Sequence, residues 1–155
     1  MAKLVYGDRI GKTGRLALAC NGILFDAARA RVLLTRRADN GQWCLPGGFM
    51  EAGESVAEAC EREVLEETGL RVRAAQLVGV YSTPHRAVEY ADGNRYHLIT
   101  LAFACEVEGG EAGLSHETTG LGWFSPAEIE TLDVMEHHRE RIADAFVGQA
   151  VAVIK

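Results

Sequence analysis

The stretch from Gly47 to Leu70, GGFMEAGESVAEACEREVLEETGL, limits what this chain can become more than any other. Ser55 followed three residues later by Glu58 has the pattern of a capping box, in which hydroxyl and carboxylate each satisfy a free backbone amide of the first helical turn. A helix therefore starts at about Ser55, and Gly69, just after Thr68, is the kind of left-handed residue on which helices commonly stop. At about 100° per residue, Val56, Ala57, Cys60 and Val64 fall on one arc that must face a core. Glu63 and Glu67 lie inside or beside that arc, and Glu66 sits about 60° beyond Glu63. The three acids thus share one flank at spacings where side chains meet.

A solvated acidic face, with Arg62 and Glu66 as an i, i+4 pair, is the ordinary explanation of a Glu-rich helix. It suits Glu58 and Glu61, which point away from the arc. It does not suit Glu67, which lies in angle between Val56 and Cys60. A half-buried carboxylate among like charges requires a cation. Several carboxylates on one rigid surface are hard oxygen ligands suited to Mg²⁺ or Mn²⁺, and Mg²⁺ is commonly shared between protein carboxylates and substrate phosphates. The Gly47-Gly48 turn lets the backbone approach the same ion, so that loop and helix form one site.

Gly48, five residues, Glu54, seven residues, Arg62-Glu63-Val64, one residue, Glu66-Glu67, one residue and Gly69-Leu70 resemble the Nudix box at each of its defined positions. Trp43-Cys44-Leu45-Pro46-Gly47 is similar to the usual approach to that box. The resemblance implies an α/β (α+β) fold, an α/β/α sandwich with a mixed central sheet between helices. It also implies an activity: metal-dependent hydrolysis of the pyrophosphate bond in a nucleoside diphosphate linked to another group, with water attacking phosphorus. Divalent ions held by carboxylates suit that reaction, since they neutralise phosphate oxygens and lower the pKa of bound water.

Carried over position by position, the resemblance makes Glu63, Glu66 and Glu67 the metal-binding and catalytic acids. It lets Gly47 lend a carbonyl to the metal, makes Arg62 the orienting arginine and places Glu54 behind them. In the family, the acid that handles the attacking water stands either on the box helix or in a later loop, so Glu63 and Glu117 are both candidates. Glu117 belongs to Ser115-His116-Glu117-Thr118, and its ordinary alternative is an exposed loop acid.

Four further residues are candidates for substrate contact. Arg36 and Arg37 must point opposite ways in a strand, so at most one reaches the site. Tyr81, like Trp43, can stack on a base or pack the core, and the core is preferred for Trp43. The family branch that hydrolyses ADP-ribose carries a proline in the loop after the box, close to where Pro84 stands. ADP-ribose or a nucleotide sugar is therefore the expected substrate, with the long Ser82 to Asn94 loop covering its second moiety. The alternatives are a nucleoside triphosphate of the 8-oxo-dGTP type, a dinucleoside polyphosphate, or a non-catalytic nucleotide-sensing domain. Leu33-Leu34-Thr35-Arg36-Arg37 is similar to part of the coenzyme A branch, whose remaining pattern is missing. The intact acid triad favours an enzyme, because a pure binder has no need to hold like charges together.

The rest of the chain reads as support. At 155 residues and 48% hydrophobic content it is expected to form one domain over 1-155, with residues 1-14 an N-terminal arm. A net charge of −6 and a pI near 5.4 argue against a nucleic acid polymer or an anionic membrane as partner. A small-molecule nucleotide remains, with self-association into a homodimer left open. Lys3, Asp8, Arg9, Lys12 and Arg15 interrupt any signal-peptide core, and no run approaches a membrane span, which points to the cytoplasm. Cys20, Cys44, Cys60 and Cys105 have no paired spacing and read as reduced, buried thiols. Leu16 to Phe25 and Arg31 to Arg37 read as a hairpin, and Arg71 to Tyr81, Arg95 to Val107 and Thr118 to Phe124 as further strands. Ser125-Pro126-Ala127-Glu128 is a second capping box with proline at the first helical position. A last helix is expected over Glu136 to Phe146, with His137 and His138 exposed on it.

Overall fold

Val32, Leu33 and Leu34 are consecutive and all fully buried, which a strand allows only when both of its faces are covered. Val32 and Leu34 belong to one hydrophobic core and Leu33 to another. The computed structural model describes residues 3–155. Its elements run β1 (Lys3–Tyr6), β2 (Arg15–Leu24), β3 (Val32–Arg37), β4 (Trp43–Cys44), β5 (Gly47–Phe49), α1 (Val56–Thr68), β6 (Leu70–Tyr81), β7 (Arg86–Glu89), β8 (Arg95–Gly110), β9 (Thr118–Phe124), α2 (Pro126–Thr131), α3 (Glu136–Val147) and β10 (Val153–Ile154).

The long strand β8 organises the larger sheet. It runs parallel to β2, pairing Arg15 with Tyr96 through Leu24 with Cys105, and on its other edge it meets β7 and then β6, both antiparallel. β1 extends the sheet beyond β7, β5 beyond β2, and β10 lies parallel to β6. A second sheet joins β4, β3 and β9 antiparallel. Cys20, Leu24, Leu33 and Phe103 pack against Ala59, Cys60 and Val64 of α1. On the opposite face, Ile23, Val32, Leu34 and Ala102 pack with Ile129 of α2 and with Ile142 and Ala145 of α3. This is the expected α/β/α arrangement, with a mixed sheet between helices.

Both capping boxes form. The hydroxyls of Ser55 and Ser125 accept from the amides of Glu58 and Glu128, and α1 stops at Gly69 with φ 75°. The expected hairpin does not. β2 and β3 share only the Phe25–Val32 bridge and then diverge into different sheets, because β2 pairs β8 while β3 pairs β9. The long polar loop also differs from expectation, since Arg86–Glu89 forms a strand whose other edge is taken by Lys3–Tyr6. That pairing gives the N-terminal segment a place in the sheet. No helix is long and apolar enough to cross a membrane among the described residues.

Candidate active site

Strand β5 and helix α1 bring the box residues together, and two contacts of glycine fix how closely. A side chain on Gly47, whose φ is 148°, would place its Cβ 2.1 Å from the Cys20 carbonyl oxygen, so the turn presses directly on β2. A Cβ on Gly48 would lie 2.6 Å from the Glu63 carboxylate, so a missing side chain here makes the space that Glu63 occupies. The Gly47 amide donates to Glu67 Oε2 at 3.0 Å, tying the loop to the last turn of the helix.

The three acids sit in different environments. Glu67 is buried, accepts only that one hydrogen bond among the described residues, and has no cationic side chain paired with it. Burial first, then the neighbouring charges of Glu63 and Glu117, push its pKa up to about 7 against the opposing pull of the Gly47 amide and Arg37. Glu63 is also lifted, chiefly by burial, although Arg62 holds it at 2.8 Å. Glu66 is more than half exposed and meets Arg62 at 3.3 Å.

Arg62 is the clamp of the group. Its Nε and Nη2 donate to the two oxygens of Glu54 at 2.6 and 3.0 Å, Nη1 donates to Glu63 and Glu66, and Nη2 also reaches the Phe49 carbonyl. One guanidinium thus joins the loop, β5 and α1. Arg62 and the backbone amide of Glu51 hold the Glu54 carboxyl down at about 2. Glu61 is not free in solvent as its azimuth suggested; it accepts from the Ala74 amide of β6 at 2.9 Å.

A cleft of about 140 Å³ opens beside Gly47 and Gly48 and runs between the larger sheet and the start of α3. Arg37 lines it and is braced by Asp39 through two hydrogen bonds of 2.8 and 2.9 Å. Arg36 turns away and donates to the Gly41 carbonyl, which agrees with the alternation of a strand. Tyr81 does not reach the cleft; it is buried in the core with its hydroxyl donating to Asp144 at 2.9 Å. Pro84 is likewise elsewhere, its carbonyl accepting from the Gly11 amide at 2.9 Å. Trp43 packs edge-on against Phe124. Glu117 is exposed in a turn braced by the Ser115 hydroxyl, near enough for its charge to raise the proton affinity of Glu63 and Glu67.

His137 and His138 are buried, contrary to the expectation of exposure. The Leu45 amide donates to His138 Nδ1 at 3.1 Å, and burial, reinforced by the Arg141 charge, pushes His137 down to about 3 and His138 well below its ordinary range. With Asn21, which pairs with Gly47, and Arg141 they line the cleft. Sequence reasoning passed over these residues. The available signals were Asn21 inside the apolar run of β2, and Arg141 at helical spacing with His137, His138 and Ala145.

No three His, Cys, Asp or Glu side chains stand close enough to make a ready cation cage among the described residues. The donor set nonetheless suits a divalent ion: Glu67 is a buried carboxylate without a cationic partner, beside a second carboxylate lifted by burial. Hard oxygen donors of this kind suit ions that bind phosphate. A carboxylate-bearing helix held against a glycine turn beside a cleft is an arrangement suited to the hydrolysis of a phosphate anhydride.

Comparison with known proteins gives that class its family. The NUDIX domain matches residues 15–146. The chain is 43% identical over 134 residues to the ADP-ribose pyrophosphatase of Methanocaldococcus jannaschii, covering 84% of this chain and 73% of that protein. It is 38% identical over 118 residues to a MutT-like protein of Streptomyces ambofaciens, covering 76% and 70%. The fold is similar to the crystal structure of an ADP-ribose pyrophosphatase from Streptococcus suis, with a TM-score of 0.69 at 23% identity over 90% of this chain and 98% of that one. The chain belongs to the Nudix family and is a Nudix pyrophosphohydrolase acting on small nucleotide substrates. Nudix hydrolases generally need divalent metal ions.

Proposed function

We propose that this enzyme hydrolyses ADP-ribose or a closely related nucleoside diphosphate sugar, using Mg²⁺ or Mn²⁺. The observation that carries the substrate is the 43% identity with an ADP-ribose pyrophosphatase over 134 residues. Pro84 lends it no support, being packed against the N-terminal turn. Glu63, Glu66 and Glu67 would hold the metal, with the Gly47 carbonyl as a further ligand. When bound, the metal supplies charge neutralisation of the phosphate oxygens and a more acidic water.

The chain's own residues do the rest. Arg62 keeps Glu63 and Glu66 aimed from the helix while anchoring to Glu54 and Phe49. Arg37 presents a cation to the substrate from the cleft wall, braced by Asp39. The attacking water loses a proton to Glu63 or Glu117, its oxygen bonds to phosphorus, and the anhydride P–O bond breaks. ADP-ribose and water thus become AMP and ribose 5-phosphate.

The test is a panel of ADP-ribose, nucleotide sugars, dinucleoside polyphosphates and nucleoside triphosphates, each assayed with Mg²⁺ and with Mn²⁺. ADP-ribose or a nucleotide sugar is expected to show the highest kcat/KM. A higher value for a triphosphate overturns the substrate assignment, and no turnover on any compound would return the chain to a nucleotide-sensing role. Within the same assay, Glu117→Gln separates the two candidate bases. If Glu117 takes the proton, kcat falls on the order of 10² to 10⁴-fold with KM little changed. Unchanged kinetics assign the proton to Glu63 or another acid.

A further inference from the structure

Two side chains of α3, His138 and Arg141, stand three positions apart and so share one face of the helix. Both are buried, and both end on the backbone that carries the Gly47 turn. His138 Nδ1 accepts from the Leu45 amide at 3.1 Å, two residues before Gly47. Burial keeps the ring neutral, so Nδ1 keeps its lone pair for that amide. Arg141 donates from Nη1 to Asn21 Oδ1 at 2.6 Å, its guanidinium standing 5.4 Å from the centre of the Tyr81 ring.

Asn21 is the residue of β2 that pairs with Gly47. A Cβ on Gly47 would lie 2.6 Å from Asn21 Nδ2, so the turn rests on the Asn21 side chain as well as on the Cys20 carbonyl. The next amide of β2, that of Gly22, donates to the Pro46 carbonyl at 2.9 Å. Leu45, Pro46 and Gly47 are thus each held from α3 or from β2, and on its other side the Gly47 amide meets Glu67 Oε2 at 3.0 Å. Stability alone does not ask for buried polar groups here, because exchanging such a pair for apolar side chains of like shape changes stability little. What the pair adds is direction, since a hydrogen bond fixes where a backbone segment points and apolar packing does not.

We propose that His138 and Arg141 are positioning residues for the metal site: through Leu45 and Asn21 they set the Gly47 turn, and the turn aims the buried Glu67 carboxylate. This rests on the metal-dependent reading above and adds that α3, on the far side of the sheet from α1, governs how the acid is presented. Partners that orient a metal ligand in this way commonly change metal affinity by about 10- to 100-fold when they are lost.

The experiment has two readouts that need no turnover. In EDTA, amide hydrogen exchange at Gly47 reports its bond to Glu67; with Mn²⁺ alone, paramagnetic resonance of the free ion gives the dissociation constant. Arg141→Met and His138→Leu should each speed exchange at Gly47 about tenfold or more, with Val64 of α1 and Val72 of β6 unmoved. Each should also weaken Mn²⁺ by about tenfold or more. Arg141→Lys keeps a donor for Asn21 and His138→Gln an acceptor for Leu45, so both should recover most of the parent's values. Exchange that speeds at all three sites together marks a general loss of stability and overturns the proposal. Unchanged Mn²⁺ affinity in either variant overturns it for that residue. Should the variants not fold, Mg²⁺ added to the parent reads the same coupling from the other end, because coupling between sites is reciprocal. The Asn21 side-chain amide and the His138 ring resonances should then move with the Gly47 amide, and their staying in place while it moves overturns the proposal. A parent that binds no Mn²⁺ sinks the metal reading, whereas exchange in EDTA still decides whether α3 holds the turn.

Discussion

Glu67 carries the sharpest consequence at the scale of single residues. Its folded pKa of about 7 stands above the ordinary 4.5, so between those values the folded protein keeps a proton that the unfolded chain has released. Stability of the metal-free protein therefore falls as pH rises from 4.5 to 7. Glu67→Gln keeps the shape and an acceptor for the Gly47 amide but has no charge to bury. Melts in EDTA should show the variant gaining on the parent from pH 5 to pH 8, by roughly 1 to 3 kcal/mol, while turnover falls by orders of magnitude. Parallel stability curves would mean that Glu67 has a structural cation partner. The azimuth of Glu67 beside Val56 and Cys60 was readable from helical periodicity. Its lack of a cation was not, because that depends on where Arg37 and Arg62 point in three dimensions.

At the scale of elements, α1 and β5 act as one unit. Gly48→Ala puts a methyl where the Glu63 carboxylate lies, 2.6 Å away, and the side chain rather than the backbone must move. Activity should drop at least tenfold while the thermal midpoint shifts little, a split that kinetics and calorimetry on one preparation would reveal. Equal activity would show that Glu63 has room to spare. Gly47→Ala differs, because its Cβ meets the Cys20 backbone at 2.1 Å and β2 cannot yield; here stability itself should fall. Ser55→Ala removes the helix cap and should lower stability by about 1 kcal/mol, measured by urea unfolding, with the acids left in register. The caps were legible because each is a contact within four residues. The divergence of β2 from β3 was not, since the turn at Asp26 to Ala30 looks the same whether its strands pair or part.

For the whole molecule, the C-terminal residues close one side of the fold. β10 pairs with β6, the Lys155 amide donates to the Val80 carbonyl at 2.9 Å, and Lys155 holds Asp144, which also accepts from Tyr81. Deleting residues 151–155 should lower the thermal midpoint by several degrees, with kcat/KM changed less than twofold, because the cleft and the acids lie elsewhere. A comparable loss in kcat/KM would show that β6 and α3 transmit to the cleft. The box, its helix, both caps and the acid flank follow from the sequence alone, because they rest on periodicity and on contacts between near neighbours. The tertiary structure alone decides that Tyr81 is core, that Arg86–Glu89 is a strand, and that His137 and His138 are buried. It also brings Arg141 to Asn21 across 120 positions of chain. Those outcomes depend on which strands pair at long range and on what covers each helix face, and no local pattern of residues carries that information.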